Sequence, residues 1–357
     1  MKNKKNSKII LLPAIIMVVL ISFGIFYAYW NSASPEQTCA SCHEIKSSFN
    51  SLSQSSHREL HCKECHGTAL SNGIHSLNEK GEMIINHFSD KIPEIIRIDE
   101  KQLLAVMNNC KRCHSSEFAN WGKGGHSATY TSIFLDGKHN KKEQLNFDCL
   151  RCHGMFYDGA IPDLVEPINT EGPWVLLDQE KAEDPVIPCM ACHQMHTEGE
   201  TTIKPDYANP SSIFYAQSSN ETNLSFYDRH EKMHIPSMML PKLQLFEEGN
   251  SVDESDDHVM RNCVQCHAPN GWHKAGSSDD RTPRGVHKGL SCTVCHELHS
   301  NNARNSCGQC HPVISNCNID VTTMNTTYVD PKSPNNIHWV SCEDCHKDDR
   351  TINKSNR

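Results

Sequence analysis

Apolar side chains are scarce in this chain of 357 residues: 37% are hydrophobic and only 7% aromatic, and the first figure includes the cysteines and one apolar N-terminal run. A body so composed has too few apolar side chains to build its core from them alone. Positive charge is also short, with 34 Lys and Arg against 43 Asp and Glu for a formal charge of −9, which argues against a nucleic-acid partner. No fixed-period repeat marks a solenoid. No βαβ pattern surrounds the cysteines, which excludes a thioredoxin-like redox motif.

Cysteine and histidine are abundant instead, at 19 and 23. Eighteen of the cysteines fall in nine Cys-x-x-Cys-His strings: Cys39, Cys42 and His43; Cys62, Cys65 and His66; Cys110, Cys113 and His114; Cys149, Cys152 and His153; Cys189, Cys192 and His193; Cys263, Cys266 and His267; Cys292, Cys295 and His296; Cys307, Cys310 and His311; and Cys342, Cys345 and His346. Chance would give about 0.06 such strings at this composition. Thiols three residues apart reach the two vinyl groups of one haem, and the next residue offers its imidazole to the iron. A zinc site has no need of a histidine after every second cysteine, and a disulfide framework needs none. The strings imply nine covalently bound c-type haems, which then form much of the core. The expected fold is mainly α with extensive irregular loops, a haem-dominated core, almost no sheet and one N-terminal transmembrane helix.

Lys2, Lys4, Lys5 and Lys8 precede an uncharged run from Ile9 to Trp30 that ends in Phe26, Tyr27, Tyr29 and Trp30. Twenty-two residues span a bilayer and exceed the h-region of a cleaved signal, roughly 7–15 residues. Tyr29 and Trp30 occupy the place of a small-residue cleavage site. The lysines place the N-terminus in the cytoplasm and the haem body on the periplasmic side of the cytoplasmic membrane, as a single-pass protein. Residues 1–30 are thus read as basic head and anchor, 31–200 as a five-haem region, 201–260 as a linker or distal-ligand region and 261–357 as a four-haem region. Motifs start 23, 48, 39, 40, 74, 29, 15 and 35 residues apart, and the longest gap sets the middle division. The segment from Ile161 to Pro188, with Pro162, Pro167, Pro173, Pro185 and Pro188, reads as an extended loop or solvated connector. The run Asp253 to Asp257 reads as a solvated acidic loop, with a docking surface as the sharper alternative.

Fourteen histidines lie outside the motifs, enough to give nine irons a second axial ligand. Bis-histidine ligation fills the coordination sphere and makes each haem an electron carrier. His196 follows His193 by three residues, as His299 follows His296; on a helix these would share a face, with the second histidine directed at a neighbouring haem. His287 and His338 are further distal candidates, and His230 and His234, read as one helical turn apart, are taken as distal donors in preference to a divalent-metal site. Cys317, outside every motif, reads as a buried free thiol, with an intermolecular disulfide or a ligand role as the alternatives.

An anchor, a first motif close behind it, Ser56-His57 leading to Cys62-Lys63-Glu64-Cys65-His66, and Asn109-Cys110-Lys111-Arg112-Cys113-His114 resemble the NapC/NirT/NrfH family of membrane-anchored quinol dehydrogenases over residues 31–114 and the preceding anchor. The resemblance implies a first haem at the membrane surface that takes electrons from a quinol, and His57 as a distal ligand. One departure is Ile45, where members commonly carry methionine. Lys80, Glu82, Asp90 and Lys91 are the nearby groups that could serve quinol deprotonation. Trp121 with His126-Ser127-Ala128, His153-Gly154, and Gly285-Val286-His287 before Leu290-Ser291-Cys292 are similar to cytochrome c554 and the octahaem cytochromes related to hydroxylamine oxidoreductase. That similarity implies His126 as a distal ligand.

Two function classes stay open. One is an electron conduit from the quinol pool or another membrane donor to a periplasmic or outer-membrane redox protein. The other is a terminal reductase or oxidoreductase of a small nitrogen or sulfur compound at one five-coordinate haem, with Arg281, Arg284 or Tyr227 as pocket candidates.

Overall fold

The structure is a computed structural model that describes residues 4–67, 81, 83–89, 98–196, 224–242, 246–247, 250–251, 255–267, 284–285, 287–296, 298–299, 307–311, 323 and 339–340. It divides into two compact units, Met1–Asn109 and Cys110–Arg357. That division falls inside the segment read from sequence as a five-haem region. The ninth motif, His338 and Cys317 lie outside the described residues, as do Lys80, Glu82, Asp90, Lys91 and Arg281.

The first unit begins with the helix Lys4–Ser32, which carries Pro13 inside it. Its stretch Leu12–Trp30 has a mean hydropathy of 2.2, is not buried by the rest of the chain, and is long and apolar enough to cross a membrane. Short helices Lys46–Ser53 and Cys62–His66 follow, then helical residues 83–88 and the helix Glu100–Cys110. Leu103 and Met107 form the buried stripe of that last helix, and Asn109 Nδ2 donates to the Cys65 carbonyl at 2.8 Å.

The second unit has an apolar core of side chains that composition did not announce. Tyr130, Phe134, Leu145, Leu150, Tyr157, Ile161, Leu164, Val165, Leu176 and Val186 pack together. Much of this core comes from the proline-rich segment, which corrects its reading as an extended loop or solvated connector. Prolines at positions 162, 167, 173, 185 and 188 present no N–H, so burying the aliphatics between them leaves fewer donors to satisfy. The remaining groups are paired: Tyr130 N donates to Asp184 O at 3.1 Å, Val186 N to Ala128 O at 2.9 Å and Gly154 N to Val186 O at 3.1 Å. Thr129 closes the helix Tyr130–Phe134 with a reciprocal cap, accepting from Ser132 N while Ser132 Oγ accepts from its own N–H.

Sheet is minimal, as expected. Among the described residues there are four two-stranded pairs, the longest joining Ser225–Asp228 to Met233–Pro236 antiparallel, with Tyr227 opposite His234. That hairpin is fastened by Arg229, whose Nη2 donates to the carbonyls of Tyr157, at 2.8 Å, and of Gly159. Phe156 stacks on Tyr227 at 4.0 Å. The helix His258–His267 buries Val259, Met260 and Val264 and packs on the turn Ser237–Met239.

Candidate haem-attachment and axial-ligand sites

The described motifs share one local design. In five of them the histidine N–H donates to the carbonyl of the first cysteine four residues back: His114 at 2.9 Å, His153 at 2.9 Å, His193 at 3.0 Å, His296 at 2.8 Å and His311 at 2.7 Å. One helical turn closed in this way puts residues three apart on the same face, so both thiols point the same way. Sequence supplies the remaining control at turn starts: Ser291 Oγ accepts from Thr293 N to cap the turn Cys292–Cys295.

Motifs meet through their thiols, both consecutive ones and one pair more than a hundred positions apart. Cys39 hydrogen-bonds Cys62, and this contact, followed by burial, pushes the Cys62 thiol well above its ordinary value. Cys263 is driven up in the same manner by Cys292, and Cys266 by Cys152. Burial alone is the largest cause at Cys189, Cys192 and Cys295, each raised to about 11. Low polarity around neutral thiols fits the covalent attachment of an apolar macrocycle.

The first two motifs sit at the end of the long apolar helix. Lys63, inside the second motif, donates its Nζ to the Trp30 carbonyl and reaches Ala33 O at 3.5 Å, with the ammonium 5.6 Å from the Trp30 ring centre. A cation at a helix C-terminus meets the negative end of the helix dipole. In the second unit Asp257 ties the sixth motif to the seventh. Its carboxylate accepts from Val259 N at 3.0 Å, from Ser291 Oγ at 2.5 Å and from Thr293 Oγ1 at 3.1 Å, and it is buried. The acidic run read as solvated therefore turns one of its members inward, while Asp256 stays out and pairs with Lys242 at 2.9 Å.

Four motif histidines each lie beside a histidine from outside the motifs. Ring centres are 5.8 Å apart for His43 and His87, 6.0 Å for His267 and His126, 5.8 Å for His193 and His299, and 6.2 Å for His311 and His287. Two imidazoles bound trans to one metal, each nitrogen about 2 Å from it, hold their ring centres about 6 Å apart. These spacings fit haem, and each such pair would hold one iron between its two imidazoles. Burial lowers the His193 imidazole to about 4, so its lone pair is free of a proton at neutral pH.

Three of the distal candidates read from sequence, His126, His287 and His299, are thus brought to motif histidines. The helical argument offered for two of them is corrected. His193 follows the single turn Cys189–Ala191 and lies in an isolated bridge with Leu224, and His299 adopts a positive φ of 62°, so neither His193–His196 nor His296–His299 shares a helix face. His299, in a turn at residues 298–299, lies beside His193 of another motif. His196 is exposed, and His57 is half-buried with its N–H on Ser55 Oγ at 3.1 Å. His230 and His234 are not one helical turn apart either: His234 is in a strand and its Nε2 donates to Met190 O at 2.8 Å. His87 was not singled out, because only its position between the second and third motifs marks it, and His75 shares that position.

Residues 1–156 match the N-terminal region of the NapC/NirT cytochrome c family, and residues 246–312 match cytochrome c3. The first match runs beyond residue 114, through the fourth motif. No curated protein and no solved structure matches the chain. Attachment turns, paired histidines, the apolar helix and both matches lead to one identification: the chain is a membrane-associated multihaem c-type cytochrome of electron transfer, similar to the NapC/NirT family over its N-terminal 156 residues and to cytochrome c3 over residues 246–312.

Proposed function

We propose that the chain carries nine haems, stays anchored by its uncleaved N-terminal helix with the haem body in the periplasm, and moves electrons from the quinol pool or a neighbouring membrane donor to a periplasmic or outer-membrane redox protein. The observation that carries this reading is the junction at Trp30. Lys63 fastens the second motif to the end of the apolar helix, and Cys39 and Cys62 are in contact, so two attachment sites lie where a donor in the bilayer could reach them. Each haem iron supplies one-electron Fe(III)/Fe(II) chemistry. The polypeptide holds the sites close, orients the imidazoles and sets the surface charge. A formal charge of −9, before any haem propionates, suits a partner with a basic docking patch.

His126, His287 and His299 serve as distal ligands in this reading, each on the haem of the motif histidine it faces; His57, His196 and His338 complete the proposed set. A reductase with an open iron was the other class. Tyr227, offered for its pocket, stacks on Phe156 and meets the His234 ring edge to face. The likeness to octahaem cytochromes lends that class no residue in a reacting role.

The test is to purify the full chain in membranes, weigh it, and mix it anaerobically with a short-chain menaquinol. Nine haem masses and reduction of most haems by the quinol are expected. A mass well short of nine, or haems that dithionite reduces and quinol does not, would count against haem number or donor respectively.

A further inference from the structure

Among the described residues outside the apolar helix, exposed large apolar side chains gather most densely in helical residues 83–88 of the first unit, where Ile84, Ile85 and Phe88 are 59%, 65% and 83% exposed. Side chains of the membrane-length stretch Leu12–Trp30 are exposed to a similar degree. A contiguous apolar patch held in water is unfavourable and marks a surface that something covers.

Helical geometry sorts the segment into two sides. Ile84 and Phe88 are four positions apart and Ile85 and Phe88 three, so these side chains share one side. Met83 and His87, also four apart, share another. That second side is turned to the first motif: His87 Nδ1 lies 2.5 Å from Glu44 Oε1, and Met83 is the least exposed apolar residue of the group at 37%. The helix is thus docked by one side and bare on the other.

Contacts within the unit place this helix near the end of the anchor. After Ser32 the chain folds at once into tight turns, with Ala33 N donating to Tyr29 O at 2.8 Å, Thr38 N to Ser34 O at 3.2 Å and Ala40 N to Pro35 O at 2.8 Å. The first motif therefore stays beside the end of the apolar helix, and Lys63 holds the second motif there through the Trp30 carbonyl. Helical residues 83–88 rest on the first motif through Glu44, so they too lie close to the level of Trp30.

We infer that Ile84, Ile85 and Phe88 enter the bilayer leaflet at the Trp30 end of the anchor and form a second membrane contact. This rests on the uncleaved anchor proposed above. Lipid acyl chains are the occupant that suits both the apolar side chains and their place beside the end of a membrane-length helix. Six residues make a helix about 9 Å long, which can lie flat in the interface with its apolar side about 5–10 Å deep. A single transmembrane helix leaves the first unit free to swing about one point. The second contact fixes which face of the first attachment site meets a donor dissolved in the membrane.

The experiment uses the full chain, matured with haem, in nanodiscs of phosphatidylethanolamine and phosphatidylglycerol. A photoreactive p-benzoylphenylalanine replaces Phe88 in one variant and Asn86, on the other side of the helix, in a second. Light should attach a lipid mass at position 88 and far less at position 86. The variant I84S/I85S/F88S should keep its haem mass and its reduction by dithionite, while quinol-dependent reduction in vesicles of the same lipids falls at least about threefold through lost orientation. Position 88 taking no lipid, or cross-linking to a second copy of the chain or to another protein instead, would overturn the inference, as would an unchanged quinol rate in the triple variant. An intact mass lacking the N-terminal helix would sink the anchor reading instead, and a lipid adduct at position 88 of that shorter chain would still stand for the second contact.

Discussion

Asp257 shows how much one side chain can fix. Its carboxylate receives a backbone N–H and two hydroxyls from another motif, away from solvent. Replacing it with alanine strands the Ser291 and Thr293 hydroxyls, and a destabilisation of about 1–3 kcal/mol is expected in thermal unfolding, with asparagine recovering part of it. The sequence displayed only a run of acids, because local charge says nothing about which member faces inward. Lys63 is the counterpart in the first unit. Lys63→Ala should cost about 0.5–2 kcal/mol and raise hydrogen exchange at the end of the apolar helix; an unchanged exchange pattern would show the contact to be idle.

Turns and hairpins carry the next level of order. Gly154 follows the fourth motif with φ of +98°, and a Cβ there would meet the Tyr130 hydroxyl at 3.0 Å and Leu150 Cδ2 at 3.2 Å. Gly154→Ala therefore combines backbone strain with crowding of the apolar core. A loss of about 1–3 kcal/mol is expected on denaturant titration, with the haem count preserved. The hairpin Ser225–Asp228 with Met233–Pro236 should respond to acid through His234. Burial lowers this imidazole, and the Met190 carbonyl only partly offsets that. The folded chain thus takes up the proton later than the unfolded chain, so the contribution is complete above about pH 6.5 and fades as pH falls below it. Amide exchange across the hairpin should accelerate on acidification, and His234→Gln, which keeps a donor to Met190, should flatten that response. The hairpin was invisible in the sequence because much of its ordering comes from Arg229 reaching carbonyls some seventy positions away.

For the protein as a unit of electron transport, the anchor and the meeting of motifs matter most. A chain starting at Asn31 should load the same haems and be reduced by dithionite. Its quinol-dependent reduction should fall at least about tenfold, since the helix sets the effective concentration of donor and first haem. Equal quinol rates for both forms would show that the helix serves only export. The contact Cys152–Cys266 joins motifs 114 positions apart in the chain, and Cys263–Cys292 joins two consecutive motifs. Haems there should titrate as interacting centres, and a redox titration that resolves into independent one-electron steps would contradict that.

Haem attachment was legible in the residues because it is local: two thiols and an imidazole within five positions fold into one turn whatever surrounds them. The apolar helix was legible for the same reason, its length and lack of charge being properties of a continuous stretch. The partners of those imidazoles were not. His126 faces His267, His299 faces His193 and His87 faces His43, each pair separated by more than forty positions in the sequence. A sixth ligand is chosen by which imidazole the folded chain brings within reach of an iron, and spacing along a chain does not encode that distance.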